Sequence, residues 1–286
     1  MDRPVCLVTG ANAGLGRAIA TGLARRNAHV VMVCRDRHRG EAAVAEVMAE
    51  TGSDALELVV ADVSRLASVR DLAAEVRRRH PRLHVLVHAA AVFHAERILT
   101  EDGVEAMLAT HHLGPFHLTN LLIDTLRASA PARVLVVTGS PTSPVDFADP
   151  NGLREFSAIR QYGATRTCNV LYALELARRL AGTGVTAVAF DPGAVRSRVR
   201  EATSTVGKWL AGMLSRAPDR AAEAAVRLCL DADFAGANGA LYRGTKEAKA
   251  DAFARDLHHQ ARLWELSERL VAGRVHVPGS LEPVIA

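Results

Sequence analysis

Aromatic side chains are scarce in this chain, with two Trp, three Tyr and seven Phe among 286 residues. A core built on stacked rings is excluded, and Val, Leu and Ala must fill it. Cysteine is sparse too. Cys6, Cys34, Cys168 and Cys229 stand far apart, so they suggest no disulfide framework and no thiolate metal motif. Three of them sit inside apolar segments, which points to reduced core thiols and a cytoplasmic setting. No metal site is expected. No apolar run is long enough to cross a bilayer, and no signal peptide precedes the first strand pattern, so no membrane partner is expected. A strong charge of one sign is also missing: the net charge is +4. Clustered bases such as Arg77, Arg78 and Arg79 read as a solvated helix face rather than a nucleic-acid surface. There is no internal repeat and no linker.

What is present is a hydrophobic fraction of 49%, enough for one large core. Apolar runs of strand length alternate with helix-period segments along the whole chain. The strand runs are Val5–Val8, Ala28–Cys34, Ala55–Val60, Leu83–Val87, Ala132–Thr138, Gly184–Phe190 and Gly239–Tyr242. They lack polar alternation, as suits strands buried on both faces of a parallel sheet. Helices are expected after Gly14, over Arg39–Glu50, from Ser64, over Asp102–Arg127 with a bend near Gly114 and Pro115, and over Gln161–Leu180, Asp219–Leu230 and Asp251–Ala272. The fold class is therefore α/β. It is a single Rossmann-type domain over residues 1–286, a doubly wound parallel sheet of about seven strands with helices on both faces. Pro141–Arg160 reads as a loop over the site. Residues 194–218 are the least regular part. Trp209, Leu210, Met213 and Leu214 form an apolar patch there that could cover a substrate.

The stretch from Pro4 to Gly16 organises the rest. A buried strand runs into Gly10, Gly14 and Gly16, and a helix pattern follows at once. Glycines let backbone approach a ligand with no Cβ in the way. The free amides and positive dipole end of the helix suit a diphosphate. At the end of the second strand stand Cys34 and Arg35. In a dinucleotide fold an acid there accepts from a ribose 2′-hydroxyl, whereas an arginine pairs with a 2′-phosphate. Arg35 therefore favours NADP(H) over NAD(H).

With these residues in place, the chain resembles the short-chain dehydrogenase/reductase family, and within it the retinol dehydrogenase and protochlorophyllide reductase branch. The glycine motif, Asp62, Tyr162 and Asp191-Pro192-Gly193 fall in the family's order and spacing. TGANAGLGRAIA, VCRDRHRGEAA, HHLGPFHLT and ELARRL are the branch-like stretches. The resemblance implies cofactor contacts from Gly10, Asn12, Gly14, Leu15, Gly16, Arg35, Asp62, Val63, Ala89, Ala90, Pro192, Gly193 and Val195. It also implies that Tyr162 passes a proton to or from the substrate oxygen. A phenol titrates near pH 10, so it needs a neighbouring cation to act near neutrality. The family places a lysine four residues on, on the same helix face; here that residue is Arg166.

Other positions depart as well. Ungapped comparison with the branch puts Gly139 on the family's serine, and a shift of one residue puts Ser140 there. Ser140 is the expected substrate-orienting group. The family's helix asparagine corresponds to His111, read either as a proton relay or as an ordinary helix residue. The Asn-Asn-Ala-Gly stretch is replaced by His88, Ala89, Ala90 and Ala91. The resemblance thus implies an NADP(H)-dependent oxidoreductase acting on a carbonyl or alcohol of an apolar small molecule, with a homo-oligomeric assembly, and possible work in biosynthesis. The altered catalytic positions leave two alternatives: non-redox cyclisation, dehydration or epimerisation on the same fold, and a cofactor-binding protein without turnover.

Overall fold

The structure is a computed structural model that describes residues 3–140, 142–193 and 218–273. Its elements alternate as the apolar runs require. β1 (Val5–Thr9), α1 (Gly14–Arg25), β2 (His29–Cys34), α2 (Arg37–Thr51), β3 (Leu56–Val60), α3 (Leu66–Arg79) and β4 (Val85–His88) come first. A helical stretch follows, from α4 (Ala106–Leu108) through a π turn (Ala109–Leu113) into α5 (Gly114–Ala128). Then come β5 (Ala132–Val137), α6 (Ala158–Arg179), β6 (Val185–Asp191), α7 (Pro218–Leu230), β7 (Leu241–Arg243), β8 (Lys246–Ala248), α8 (Ala252–Arg255) and α9 (Leu257–Val271).

The eight strands form one sheet in the order β3-β2-β1-β4-β5-β6-β7-β8. The order reverses beside β1, so the ends of β1 and β4 open a crevice where a doubly wound fold binds its ligand. Strand residues alternate between two core layers. Leu7, Val31 and Val33 pack with α3, α5, α6 and α9, whereas Cys6, Val8, Met32 and Cys34 pack with α1, α2 and α7. Helices on both faces are thus what the continuous apolar strands demand.

Three details correct the sequence reading. An eighth strand exists, and it runs antiparallel to β7, with Arg243 opposite Lys246. Its Lys246 and Glu247 are exposed, so this edge strand carries no apolar signature. The helix expected from Asp102 starts only at Ala106. Asp102 instead accepts from the Leu66 amide at 2.8 Å and caps α3, while Glu105 accepts from the Met107 and Leu108 amides. The closing helix is broken at Asp256, whose carboxylate accepts from the His258 amide at 2.8 Å and starts α9. α9 then lays Trp264 edge-on against Phe116 of α5 at 4.9 Å and covers α6 with Leu263 and Leu266. All four cysteines are buried and unpaired. Burial pushes the Cys34 thiol up to about 11.

Candidate functional site

The cleft at the carboxyl ends of the strands holds about 430 Å³. Its floor is the glycine turn. Gly10 has φ +67°, and a Cβ there would stand 2.7 Å from the Ala90 Cα. A Cβ on Gly16 would meet the Gly10 carbonyl at 2.3 Å, so α1 seats directly on the turn. Gly14 is the opposite case, since a Cβ on it would meet nothing within 4 Å. It faces open space. Ala13 at the start of α1 offers no side-chain cap, and no acid lies in the first turn. The first amides of α1 are left for an anion. Thr9 locks the far wall, its hydroxyl accepting from the Ala89 and Ala90 amides at 3.1 and 3.3 Å.

The cleft gathers most of the expected cofactor positions. Asn12, Leu15, Arg35, Asp62, Val63, Ala89, Ala90, Pro192 and Gly193 all line it. The Asp62 carboxylate accepts from both the amide and the hydroxyl of Ser64, at 2.9 and 2.7 Å, which fixes the β3–α3 turn along the wall. Arg35 is exposed just after β2, and Arg39, in the first turn of α2, lines the same end of the cleft. Neither has a carboxylate partner among the described residues. The sequence reading missed Arg39, which the β2–α2 turn brings beside Arg35. Thr110 and Val92 also line the cleft and were missed. Val195 and the apolar patch at Trp209–Leu214 lie outside the described residues. The loop after β5 does not arch over the site. Its Asn151 accepts from the Glu105 amide at 2.9 Å, and none of its described residues from 142 to 157 lines the cleft.

Tyr162 and Arg166 reach the cleft from α6. Their spacing of four puts the Arg166 guanidinium over the Tyr162 ring, 4.4 Å from its centroid. Arg166 is only 3% exposed, and its Nη2 lies 3.1 Å from the His111 Nε2. Its Nε has no partner among the described residues. The same His111 nitrogen accepts from the Val92 amide at 2.9 Å. An amide only donates, so Nε2 carries no proton, and Nδ1–H donates to the Thr165 hydroxyl at 2.8 Å. Thr165 in turn donates to the Tyr162 carbonyl at 2.7 Å. The imidazole also meets the Tyr162 ring edge-on at 5.6 Å, as Phe93 does at 5.9 Å.

This network changes the reading of His111. Burial, and then the Arg166 charge, hold its imidazole well below the ordinary histidine range. Both ring nitrogens are engaged. A proton relay titrating near neutrality is therefore replaced by a fixed neutral acceptor that holds Arg166 against Tyr162. His88 is likewise a packing residue. Its Nε2 pairs with the Thr119 hydroxyl at 2.8 Å, and burial lowers its pKa to about 3. At the end of β5, the Thr138 hydroxyl donates to the Arg166 carbonyl at 2.7 Å and is committed to holding α6. Gly139 and Ser140 line the cleft, and Ser140 is exposed. Of the three, only Ser140 offers a side-chain hydroxyl not already bonded within the described residues.

The comparisons agree with this geometry. The family described as short chain dehydrogenase matches residues 4–206. Retinol dehydrogenase 14 of Mus musculus is 36% identical over 289 aligned positions, covering 95% of this chain and 86% of the relative. Retinol dehydrogenase 13 of Homo sapiens is 33% identical, covering 93% and 83%. Among solved structures, an uncharacterized protein from Mycobacterium paratuberculosis superposes with a TM-score of 0.72 at 29% identity, covering 95% of this chain and 96% of that one. A strand–glycine–helix turn, a tyrosine and cation one turn apart, and relatives matched over nearly their full length converge: the chain belongs to the short-chain dehydrogenase/reductase family of oxidoreductases, in its retinol dehydrogenase-like branch.

Proposed function

We propose that this protein is an NADP(H)-dependent oxidoreductase that reduces a carbonyl, or oxidises an alcohol, on an apolar small molecule. The observation that carries the reading is the single cleft that joins Arg35 to Tyr162. At one end, the Arg35 and Arg39 guanidiniums would take a 2′-phosphate. In the middle, the uncapped amides of α1 and the open side of Gly14 fit a diphosphate. At the other end, Ala89 and Ala90 leave room for a flat ring beside Tyr162. Asp36 lines the same end, with one carboxylate oxygen accepting from the Arg39 amide at 2.9 Å. A bound nicotinamide supplies or accepts the hydride. The chain's own residues manage the oxygen. The Tyr162 hydroxyl donates its proton to the carbonyl oxygen; in the reverse direction its phenolate takes the proton from the alcohol. Ser140 orients that oxygen. Arg166 holds a fixed positive charge against the tyrosine. The relatives' name, retinol dehydrogenase, supports an apolar alcohol or aldehyde. Four buried, unpaired cysteines support a reducing, cytoplasmic setting.

Titration with NADPH and NADH tests the cofactor assignment. NADPH should bind more tightly, and Arg35→Ala should weaken NADPH by roughly 10- to 100-fold while leaving NADH unchanged. Equal affinity for the two cofactors in the unaltered protein overturns it.

A further inference from the structure

On the rim of the sheet opposite the cleft, three ligand-type side chains converge. β2 starts at His29, and Glu57 on β3 is in register with Val31. Residues two apart on a strand share a face, and so do paired residues on neighbouring strands. Val31 belongs to the core layer of α3, so His29 and Glu57 stand on that side. α3 ends at the same rim, capped by His80, whose amide donates to the Val76 carbonyl. The His80 Nε2 lies 2.8 Å from one Glu57 oxygen, and the His29 Nε2 lies 3.4 Å from the same oxygen. All three donor atoms fall within 4.8 Å of one another. The imidazole rings are tilted by 54° with centroids 5.0 Å apart, so they converge on Glu57 without stacking.

We propose that His29, Glu57 and His80 form a binding site for one divalent transition-metal ion of the zinc class, with solvent completing the coordination. Imidazole nitrogen and carboxylate oxygen are ordinary zinc ligands, at about 2.0–2.2 Å in a tetrahedral arrangement. Tetrahedral geometry at that length sets donors about 3.3 Å apart. The 2.8 and 3.4 Å separations bracket that spacing. The second Glu57 oxygen is held by Arg79, which also contacts Glu75. This pins the carboxylate and aims its free oxygen at both imidazoles, as an outer-shell partner does for a metal ligand. Two nitrogens among three donors argue against calcium and magnesium, which take oxygen. The ligands come from β2, β3 and the end of α3, so the ion would tie three elements together far from the reacting groups. Its effect falls on stability, not on turnover. Separations of 28 and 23 residues give no short motif, which is why the sequence reading expected no metal.

The test uses the full chain, stripped by a chelator and titrated with Zn²⁺ by calorimetry and with Co²⁺ by visible absorption. One ion per chain is expected, with a Kd of about 10 μM or tighter and the spectrum of low-coordinate cobalt. The thermal midpoint should rise by roughly 5 °C under excess Zn²⁺. His80→Ala and the gentler His29→Gln should each weaken binding at least about tenfold, while NADPH affinity stays unchanged. The site is refuted if no stoichiometric binding occurs, or if binding survives both variants and so belongs to other surface groups such as His258 and His259.

Discussion

Two halves of the cleft meet beside Ala90, and they are built on different principles. The half made by β1, β2 and α1 works through backbone. Its features are the αL turn at Gly10, the contact of Gly16 with the Gly10 carbonyl, and the free amides of an uncapped helix. The half made by β4, the π turn, β5 and α6 works through side chains that form an internally consistent set. Arg166, His111, Thr165 and Tyr162 close on one another through hydrogen bonds and ring contacts. A backbone cradle tolerates little change, because any Cβ at Gly10 or Gly16 strikes main chain. A side-chain network can be replaced member by member, provided each polar atom finds a new partner.

The largest expected effect breaks the side-chain half alone. Tyr162→Phe should lower turnover by about three orders of magnitude or more, on the scale of losing the proton donor. NADPH affinity and the thermal midpoint should hold. Loss of cofactor binding in this variant would mean that the two halves are not separable. Next in size is Ser140→Ala, expected to cost roughly ten- to a thousandfold in kcat, as removal of one oxygen-orienting donor does. Thr138→Ala should instead lower stability, since its hydroxyl bonds the Arg166 carbonyl. If kinetics show Thr138→Ala damaging and Ser140→Ala silent, Ser140 is not the orienting group.

Arg166 sharpens the comparison because it belongs to the side-chain network yet lines the cleft that both halves share. Arg166→Lys should retain activity within about tenfold, because it keeps the charge one turn from Tyr162 but not the planar fork. Arg166→Ala should lower both kcat and NADPH affinity, and it leaves His111 with the Val92 amide as its one remaining donor. The smallest effect is on acid stability. His88 and His112 are buried with pKa values lowered to about 3, and His111 is lowered as well. Unfolded histidines take up protons near pH 6.5, whereas these stay neutral when folded. Their stability contribution is therefore complete above that pH and is lost as pH falls toward the folded values. Melting should drop by several degrees from about pH 7.5 to pH 5. A midpoint that rises over this range would contradict neutral burial of the three.

The two halves also differ in how much of them was legible from sequence. The glycine turn and the buried strands could be read because backbone conformation and core burial impose fixed spacings, whereas Tyr162 was placed by the family resemblance. β8 could not, since an exposed edge strand needs no apolar residues. The late start of the helix at Ala106 was hidden because Asp102 reads as a cap of its own helix, whereas it caps α3 from 36 residues away. The part played by His111 was hidden for a similar reason. Its partners, Val92, Thr165 and Arg166, lie up to 55 residues away, and only their positions fix its tautomer and burial.

The central claim is that the side-chain half performs hydride chemistry. The direct measurement is transfer of deuterium from NADPH labelled at the nicotinamide C4, followed by mass spectrometry of the products from a panel of apolar aldehydes and ketones. The account predicts one deuterium on the former carbonyl carbon of each reduced product, with loss of that signal in Tyr162→Phe. Conversion of a substrate by the unaltered protein with no label in the product would contradict it.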